Sequence, residues 1–200
     1  QYTVSEYLDL VARAREHVPG ITLAGDFIVG FCGETDDEFA ETLALVETVR
    51  YKNIFVFKYS QRPGTVAARR ALDDVGDAVK RRRNIELLQL QERISIDTNR
   101  RLIGQTCEIL VEGYSKRAIK AQEAEQTRGQ EVSADRSEQL VGRTRTDRIV
   151  VFPGDMDLAG RLLKVRIKAA TALTLHGEWV GAAATEPASE TATVALTIGG

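Results

Sequence analysis

Hydrophobic and polar positions follow two different periods along this chain, and the change of period divides the chain in two. Up to about residue 103, apolar residues recur every three or four positions in several stretches, which predicts helices. Short apolar runs rich in Ile, Val and Phe lie between these stretches and predict buried strands. From residue 104 onward the pattern changes to short β segments separated by glycine-bearing turns, which is typical of a small barrel. The sequence therefore predicts an α/β region followed by an all-β region.

The α/β region predicts a strand, helix and strand in succession, which favours a parallel pair with a right-handed crossover. Thr35 and Glu38 form a capping box at the start of the helix between the two strands. Gly104 closes the last helix and marks a domain boundary. We predict helices from Val4 to Pro19, from Thr35 to Arg50 and from Asp74 to Leu102, strands over 21–30 and 53–59, and a polar loop over 60–68.

The β-rich region contains five candidate strands, and beyond them the chain has little left to bury. Residues 181–200 are mostly Ala, Thr, Glu and Gly, so we expect a disordered tail there. The predicted domains are thus 1–103, 104–180 and the tail. The candidate strands are Thr106 to Val111, Arg117 to Gln122, Leu140 to Arg145, Ile149 to Phe152 and Leu162 to Ala170.

Composition and charge exclude several classes of protein. The apolar runs are too short to cross a bilayer, and the two cysteines, Cys32 and Cys107, have no partner at metal-ligand spacing. We therefore expect a reducing, cytoplasmic setting without membrane contact. Residues 1–61 hold 5 bases and 10 acids, whereas local basic stretches follow, as in an enzyme piece joined to an anion-binding piece. Because the chain begins at Gln1 inside a helical pattern, we expect it to be a fragment.

A first candidate site follows the first predicted strand. Ligands of parallel sheets bind at the carboxyl ends of the strands, where an acid such as Asp26 can bind ribose hydroxyls. Ile28 shares the face of Asp26 and can pack against a purine ring, and Gly30 lets the backbone approach a ligand closely. By itself, however, this motif is better explained by a buried strand that happens to carry an aspartate.

A second candidate site follows the second predicted strand, in the stretch Phe57 to Thr65. Lys58 and Arg62 can meet a carboxylate or phosphate at the same edge of the sheet. A solvated loop with ordinary turn chemistry explains this stretch equally well when it is taken alone. The two sites together are more specific than either one.

The order and spacing of five motifs carry a resemblance to a known family. DFIVGFxGET precedes a helix and is followed by FKYSxRPGTxAA, RRxxxLLxLQ, EILVEG and GRTxxxxxVxFPG. This series, which runs from about Glu6 to Gly181, resembles the methylthiotransferase family of radical-SAM enzymes. Cys32 stands where the family usually has proline, and we interpret it as a tolerated small apolar substitute.

The resemblance implies a fold and a set of cofactors. Family members carry three cysteines for an auxiliary cluster in a first domain, Cys-x3-Cys-x2-Cys in a central partial β/α barrel, and then a small TRAM β-barrel. The chain would be the C-terminal part of the radical-SAM domain followed by a five-stranded, OB-like TRAM barrel. The intact enzyme would use S-adenosyl-L-methionine (AdoMet), two [4Fe–4S] clusters and an electron donor. No Cys-x3-Cys-x2-Cys occurs in these 200 residues, so we assign no catalytic or metal-binding residue and do not expect this fragment to be active alone.

The resemblance also assigns roles to single residues. Asp26 would bind the AdoMet ribose, Ile28 would contact its adenine, and Gly30 would give backbone room near the cofactor. Tyr59 and Ser60 would lie where the methionine half of AdoMet or the substrate base sits.

Basic residues are the candidates for substrate and RNA. Arg62 and Lys58 are expected to contact the substrate nucleotide or its phosphate. In the β-rich region, basic side chains cluster around one turn and alternate along one strand, as they do on surfaces that meet RNA phosphates. A solvated strand face is the plainer explanation of such a charge run, and the resemblance favours RNA. The residues are Arg143, Arg145 and Arg148 at the turn and Lys164, Arg166 and Lys168 along the strand.

The implied reaction is the addition of a methylthio group to C2 of N6-isopentenyladenosine at position 37 in the tRNA anticodon loop. The partner would be the anticodon stem-loop, and the protein would be a monomer. Branches of the family that act on threonylcarbamoyl-adenosine or on ribosomal protein S12 stay open as alternatives. A non-catalytic RNA-binding fragment is the rival from a different class.

Overall fold

The computed structural model describes residues 3–70, 72–120 and 139–181. The chain divides into two compact units after Ile103, with residues 170–173 grouped with the first unit. Within the described ranges, no helix is long and apolar enough to cross a membrane.

The first unit is an α/β layer in which the first two helices begin where the sequence predicts, whereas the last and longest helix begins at Asp77, three residues after the predicted start. The side chains of Thr3 and Thr35 each accept a hydrogen bond from the backbone N–H three residues on. The carboxylates of Glu6 and Glu38 accept the backbone N–H of Thr3 and Thr35 in turn, so the first two helices each start with a complete capping box. A short helix occupies part of the stretch predicted as a loop. The elements are α1 (Val4–His17), β1 (Ala24–Val29), α2 (Asp36–Val49), β2 (Asn53–Lys58), α3 (Val66–Arg70) and α4 (Asp77–Arg100).

Strands β1 and β2 pair in parallel, as predicted, and one face of this sheet is covered by helices. Val29 and Ile54 lie on the covered face, where the buried residues of α2 and α4 complete the core. On the opposite face Ile28, Phe55 and Phe57 are each more than half exposed. Because Ile28 is in register with Phe57, these three side chains form a continuous apolar surface, which we name the apolar shelf.

The second unit is a closed five-stranded barrel with the strand order β3–β4–β5–β7–β6. Strand β5 pairs with β7 in parallel, whereas β3 pairs with both β4 and β6 in antiparallel fashion. This order, closed by the first and fourth strands, agrees with the predicted small OB-like barrel. The strands are β3 (Thr106–Tyr114), β4 (Gln139–Thr144), β5 (Ile149–Pro153), β6 (Leu162–Ala170) and β7 (Thr174–Trp179).

Two glycines let the barrel strands pack closely. A Cβ at Gly177 would lie 2.4 Å from Val165 Cγ1 and 2.7 Å from the Arg166 carbonyl oxygen. A Cβ at Gly142 would lie 2.6 Å from the Leu110 carbonyl oxygen. Neither space can hold a side chain, so glycine is required at both positions.

The set of barrel strands differs from the predicted set at two places. Residues 117–120 of the predicted strand Arg117 to Gln122 are helical, because Ser115 starts a helical turn in which its Oγ accepts the Ala118 N–H at 3.1 Å. The fifth strand is β7 instead, which the sequence analysis missed. The rest of the predicted Arg117 to Gln122 strand, and the predicted tail from residue 182 onward, lie outside the described residues.

Candidate functional site

A cleft of about 640 Å³ opens at the carboxyl ends of β1 and β2. Its size is within the range of small-molecule and cofactor sites. Five of the seven residues predicted for the cofactor and the substrate nucleotide line it. The lining residues are Ile28, Phe31, Phe57, Lys58, Tyr59, Ser60, Arg62, Thr65 and Ala67.

Asp26 lies near the cleft but does not line it. The residue is exposed, two positions before Ile28 on the same strand and in register with Phe55. It borders a separate hollow of about 250 Å³ that also contacts Tyr7 and Tyr51. Strand alternation gives Asp26 the same face as Ile28, whereas Phe27 and Tyr51, which line the same hollow, belong to the covered side.

Gly30 does not line the cleft either, and the structure gives its conformation a local explanation. Its φ is +70°, in the left-handed region, and its N–H donates to Glu34 Oε2 at 2.6 Å. A Cβ there would lie 2.3 Å from Lys80 Cγ. The glycine thus makes room for a lysine side chain behind the turn that follows β1.

Tyr59 forms one wall of the cleft. Its ring meets the ring of Phe31 edge-on, with centroids 4.8 Å apart, and its N–H donates to the Val29 carbonyl at 2.9 Å. The hydroxyl is buried and has no hydrogen-bond partner of ordinary geometry among the described residues. The nearby Cys32 thiol, followed by burial and by the Asp73 carboxylate, raises the pKa of Tyr59 above its ordinary value.

The two predicted cations at the cleft differ in their surroundings. Lys58 Nζ donates to Asp77 Oδ1 at 2.8 Å, and both side chains are partly exposed, so this ion pair is weak and separable. Arg62 is exposed, and the contacts described for it are at its backbone carbonyl, which accepts from the Thr65 hydroxyl at 2.9 Å and from the Thr65 N–H at 3.3 Å. Of the two, Arg62 is the cation better placed to meet a ligand phosphate or carboxylate.

Behind the cleft lies a buried charged cluster that sequence reasoning missed. Arg83, only 3% exposed, donates to Glu34 Oε2 at 2.7 Å and to Asp36 Oδ1 at 2.9 Å. Burial opposes the charge of Arg83, but the Asp36 and Glu34 carboxylates outweigh it, and its pKa is raised. The signal was the helical period, because Arg83 lies four residues before the buried Leu87 and Lys80 lies three residues before Arg83.

The basic residues of the barrel fall into two groups by their partners. Arg143 donates to Glu112 Oε1 at 2.9 Å and pairs with Asp147, and Lys168 Nζ lies 2.8 Å from Glu178 Oε2. Burial lowers the pKa of Arg148, and the nearby Cys107 opposes this shift. Of the six residues predicted to bind RNA, the exposed ones for which no ion pair is described are Arg145, Lys164 and Arg166.

Strand β6 presents its basic residues as the alternation predicts. Lys164, Arg166 and Lys168 are exposed on one face, whereas Val165 and Ile167 point into the barrel and are fully buried. Glu108 is in register with Lys164 on the neighbouring strand, which tempers the positive charge at that end. In the described part of the chain, no group of three His, Cys, Asp or Glu side chains is arranged to hold a metal ion.

Comparisons with known proteins find relatives over most of the chain. A family model described as the TRAM domain matches residues 130–180. The chain is 44% identical over 88% of its length to the tRNA-2-methylthio-N(6)-dimethylallyladenosine synthase of Rhodopirellula baltica, of which it covers 35%. It is 44% identical over 90% of its length to the synthase of the same name from Moorella thermoacetica, and 42% identical over 90% to one from Porphyromonas gingivalis, and it covers 36% and 35% of these proteins. The chain therefore spans about a third of the length of these relatives. These comparisons confirm the family resemblance predicted from the motifs. The chain is similar to a stretch of about a third of these synthases, and it contains a TRAM domain.

Proposed function

We propose that this chain is part of a tRNA methylthiotransferase that adds a methylthio group to C2 of N6-isopentenyladenosine at position 37 of the anticodon loop. The observation that carries the proposal is the cleft, where two strands and the following loop bring together Ile28, Lys58, Tyr59, Ser60 and Arg62. The names of the relatives support the same activity.

The chemistry of the cleft suits AdoMet. Its floor includes Ile28 and Phe57 of the apolar shelf, which can cover one face of an adenine ring and exclude water from it. The Asp26 carboxylate, on the same side of the sheet, would accept the ribose hydroxyls at the border of the cleft. Ser60 and Arg62 supply polar contacts for the methionine half of the cofactor or for the substrate nucleotide.

In this proposal the first unit is the end of a radical-SAM partial barrel in a cytoplasmic enzyme. AdoMet, when bound, supplies the methyl group and the radical chemistry. The intact enzyme would add the cysteines for two [4Fe–4S] clusters and would take electrons from a separate donor. The two cysteines of this chain, Cys32 and Cys107, lie in different units and are not assigned to a cluster.

The cofactor proposal is tested by replacing Ile28 with Ser in the intact protein and measuring AdoMet affinity by calorimetry. Loss of one apolar contact of about 1.5 kcal/mol should weaken binding roughly tenfold. Leu10→Ser removes an apolar side chain of similar exposure from α1 and should leave the affinity unchanged. If Ile28→Ser and wild type bind AdoMet with equal affinity, AdoMet does not bind in this cleft.

The barrel is proposed to hold the anticodon stem-loop through Lys164 and Arg166. Each phosphate contact that is lost reduces the slope of log K against log salt by somewhat less than one. The double variant Lys164→Ala, Arg166→Ala should therefore bind tRNA more weakly and with a slope lower by about 1.5. Arg143→Ala, whose side chain is already engaged by two carboxylates, is the matched control and should change the slope little. An unchanged slope in the double variant would mean that RNA binds to another surface of the protein.

A second candidate function is an RNA-binding module without catalysis. The TRAM match and the closed barrel, which forms a compact unit of its own, favour it. The two candidates differ in AdoMet, because a pure binding module has no use for it. Nucleoside analysis of tRNA from cells lacking the protein would show whether the methylthio group is lost from N6-isopentenyladenosine or from threonylcarbamoyl-adenosine. Unchanged tRNA would leave ribosomal protein S12 or the non-catalytic module, and AdoMet binding would separate these two.

A further inference from the structure

Lys80 is a buried cation that stability alone does not explain. Its side chain is 7% exposed, and its ammonium pairs with Asp73, whose side chain is 30% exposed. Removing an ammonium from water costs several kcal/mol, and an apolar side chain of the same size often fills such a space at no loss of stability. The charge of Lys80 is therefore better explained by what its ammonium contacts.

The contacts of Lys80 are directed at the wall of the cleft. Its Nζ lies 5.3 Å from the centroid of the Tyr59 ring, within the distance of a cation–π interaction. Its Cγ fills the space beside Gly30 that a Cβ would need. Tyr59 in turn supports Phe31 edge-on, and both rings line the cleft.

Arg83, one helical turn further along α4, offers a comparison. Its guanidinium binds the side chain and carbonyl of Glu34, and the Glu34 carboxylate accepts the Gly30 N–H. Arg83 thus holds the backbone of the turn, whereas Lys80 contacts the aromatic wall. The two buried cations therefore stabilise different parts of the cleft.

We propose that Lys80 is a positioning residue of the cleft, which fixes the ring of Tyr59 from behind and thereby sets the shape that AdoMet meets. This inference rests on the proposed function. It extends that function to a side chain outside the cleft and to an interaction with an aromatic ring. An ammonium between a ring face and a carboxylate restricts the ring more than a neutral side chain would, because its attraction to the ring depends on their geometry.

The test is a double-mutant cycle in the intact protein with AdoMet affinity as the readout. Lys80→Met keeps the aliphatic contact with Gly30 and removes the charge, and Tyr59→Leu removes the ring. Each single variant should weaken AdoMet binding by about tenfold, and the double variant should be no weaker than the single ones, since residues that act through one contact are not additive. A hundredfold loss in the double variant would mean that Lys80 acts independently of Tyr59 and would overturn the proposal.

A second variant and two controls complete the design. Asp73→Asn removes the carboxylate that holds the ammonium. The change should weaken AdoMet binding severalfold when made in the wild-type protein, but not when it is added to the Tyr59→Leu variant. Equal AdoMet affinity of Asp73→Asn and wild type would overturn the proposal. Arg81→Met changes an exposed cation next to Lys80 and should bind as wild type does. If Ile28→Ser binds AdoMet about tenfold more weakly than wild type does, but Lys80→Met binds it as tightly as wild type, the positioning role fails and the proposed function stands. If Ile28→Ser has no effect, the proposed function itself fails.

Discussion

The two units place their charged side chains in opposite ways. In the first unit, Lys80 and Arg83 are buried behind the cleft while the apolar shelf is exposed. In the barrel, the buried side chains of the described residues are apolar except Ser115, and the described cations are exposed or, as at Arg143 and Arg148, partly buried. Because burying a charge costs free energy, stability alone does not explain why the first unit keeps charged side chains in its interior. The barrel interior, by contrast, is explained by packing alone, and the residues proposed to contact RNA lie on its surface.

The comparison is tested most strongly at Arg83. Arg83→Met would leave the Glu34 carboxylate, 13% exposed, without its buried cation. We expect the free energy of unfolding of the first unit to fall by about 3 kcal/mol. Urea denaturation followed by circular dichroism at 222 nm measures it, because α1, α2 and α4 belong to this unit.

The neighbouring residue provides the control for this change. Arg82 also pairs with Asp36, at 2.8 Å, but its side chain is 58% exposed. Arg82→Met should cost less than about 0.5 kcal/mol. Similar losses for the two variants would show that the burial of Arg83 has no energetic consequence.

Packing in the barrel is tested at Gly177. Gly177→Ala would push a methyl group to within 2.7 Å of the Arg166 carbonyl oxygen and closer still to Val165. We expect a loss of about 2 kcal/mol in the unfolding free energy of the barrel. Trp179 is the only tryptophan of the chain and lies at the end of β7, so its fluorescence reports this unit.

Gly76→Ala serves as the comparison, because a Cβ there meets no atom within 4 Å. Gly76 is the N-cap of α4, where alanine is less favourable than glycine, and the change should cost about 0.5–1 kcal/mol, less than at Gly177. A barrel that tolerates Gly177→Ala equally well would be less tightly packed than its contacts indicate.

The smallest expected effect concerns acid. The Thr35 N–H, followed by the Thr35 hydroxyl, holds the pKa of Glu38 below its ordinary 4.5. Glu38 therefore contributes stability above about pH 4.5, and this contribution is lost as the pH falls through its lower folded pKa. The acids with lowered pKa among the described residues, Glu6, Asp36, Glu38 and Asp77, all lie in the first unit.

We thus expect acid to destabilise the first unit before the barrel. Glu38→Gln should be less stable than wild type at pH 7, and the difference should shrink between pH 5 and pH 3 as the wild-type carboxylate is protonated. Glu41→Gln, exposed on the same helix and outside the capping box, should show no such trend. Circular dichroism and Trp179 fluorescence followed across this range would reveal the order, and simultaneous loss of both signals would contradict it.

Local signals explain how much of the fold could be predicted. The Thr35–Glu38 capping box begins α2 at the predicted residue, and the apolar runs locate β1 and β2, because these features depend on neighbours in sequence. Strand β7 was missed because Gly177 interrupts its pattern, yet the glycine is there to admit Val165, a residue of another strand. The helical turn after Ser115 was predicted as a strand because the turn depends on one capping side chain, Ser115, rather than on a periodic pattern.

The candidate site divides in the same way. Ile28, Tyr59 and Arg62 could be named from motifs, since strand ends in parallel sheets predict where ligands bind. That Arg83 is buried while Arg81 and Arg82 are exposed follows from its helical spacing to the buried Leu87, a signal that the run of three consecutive arginines obscured. By contrast, Gly30 makes room for Lys80, far along the chain, and only the structure brings the two together.

The strand order of the barrel has a consequence for synthesis on the ribosome. Strand β3 must wait for β6, and the parallel pair of β5 with β7 can form only when the last strand has emerged. Pairings between distant segments form slowly because the loop between them must close first. The nascent α/β unit, whose β1 and β2 are joined by a single helix, can fold while the barrel is still an open set of strands. During translation the barrel strands would therefore be the part of this chain most in need of a chaperone.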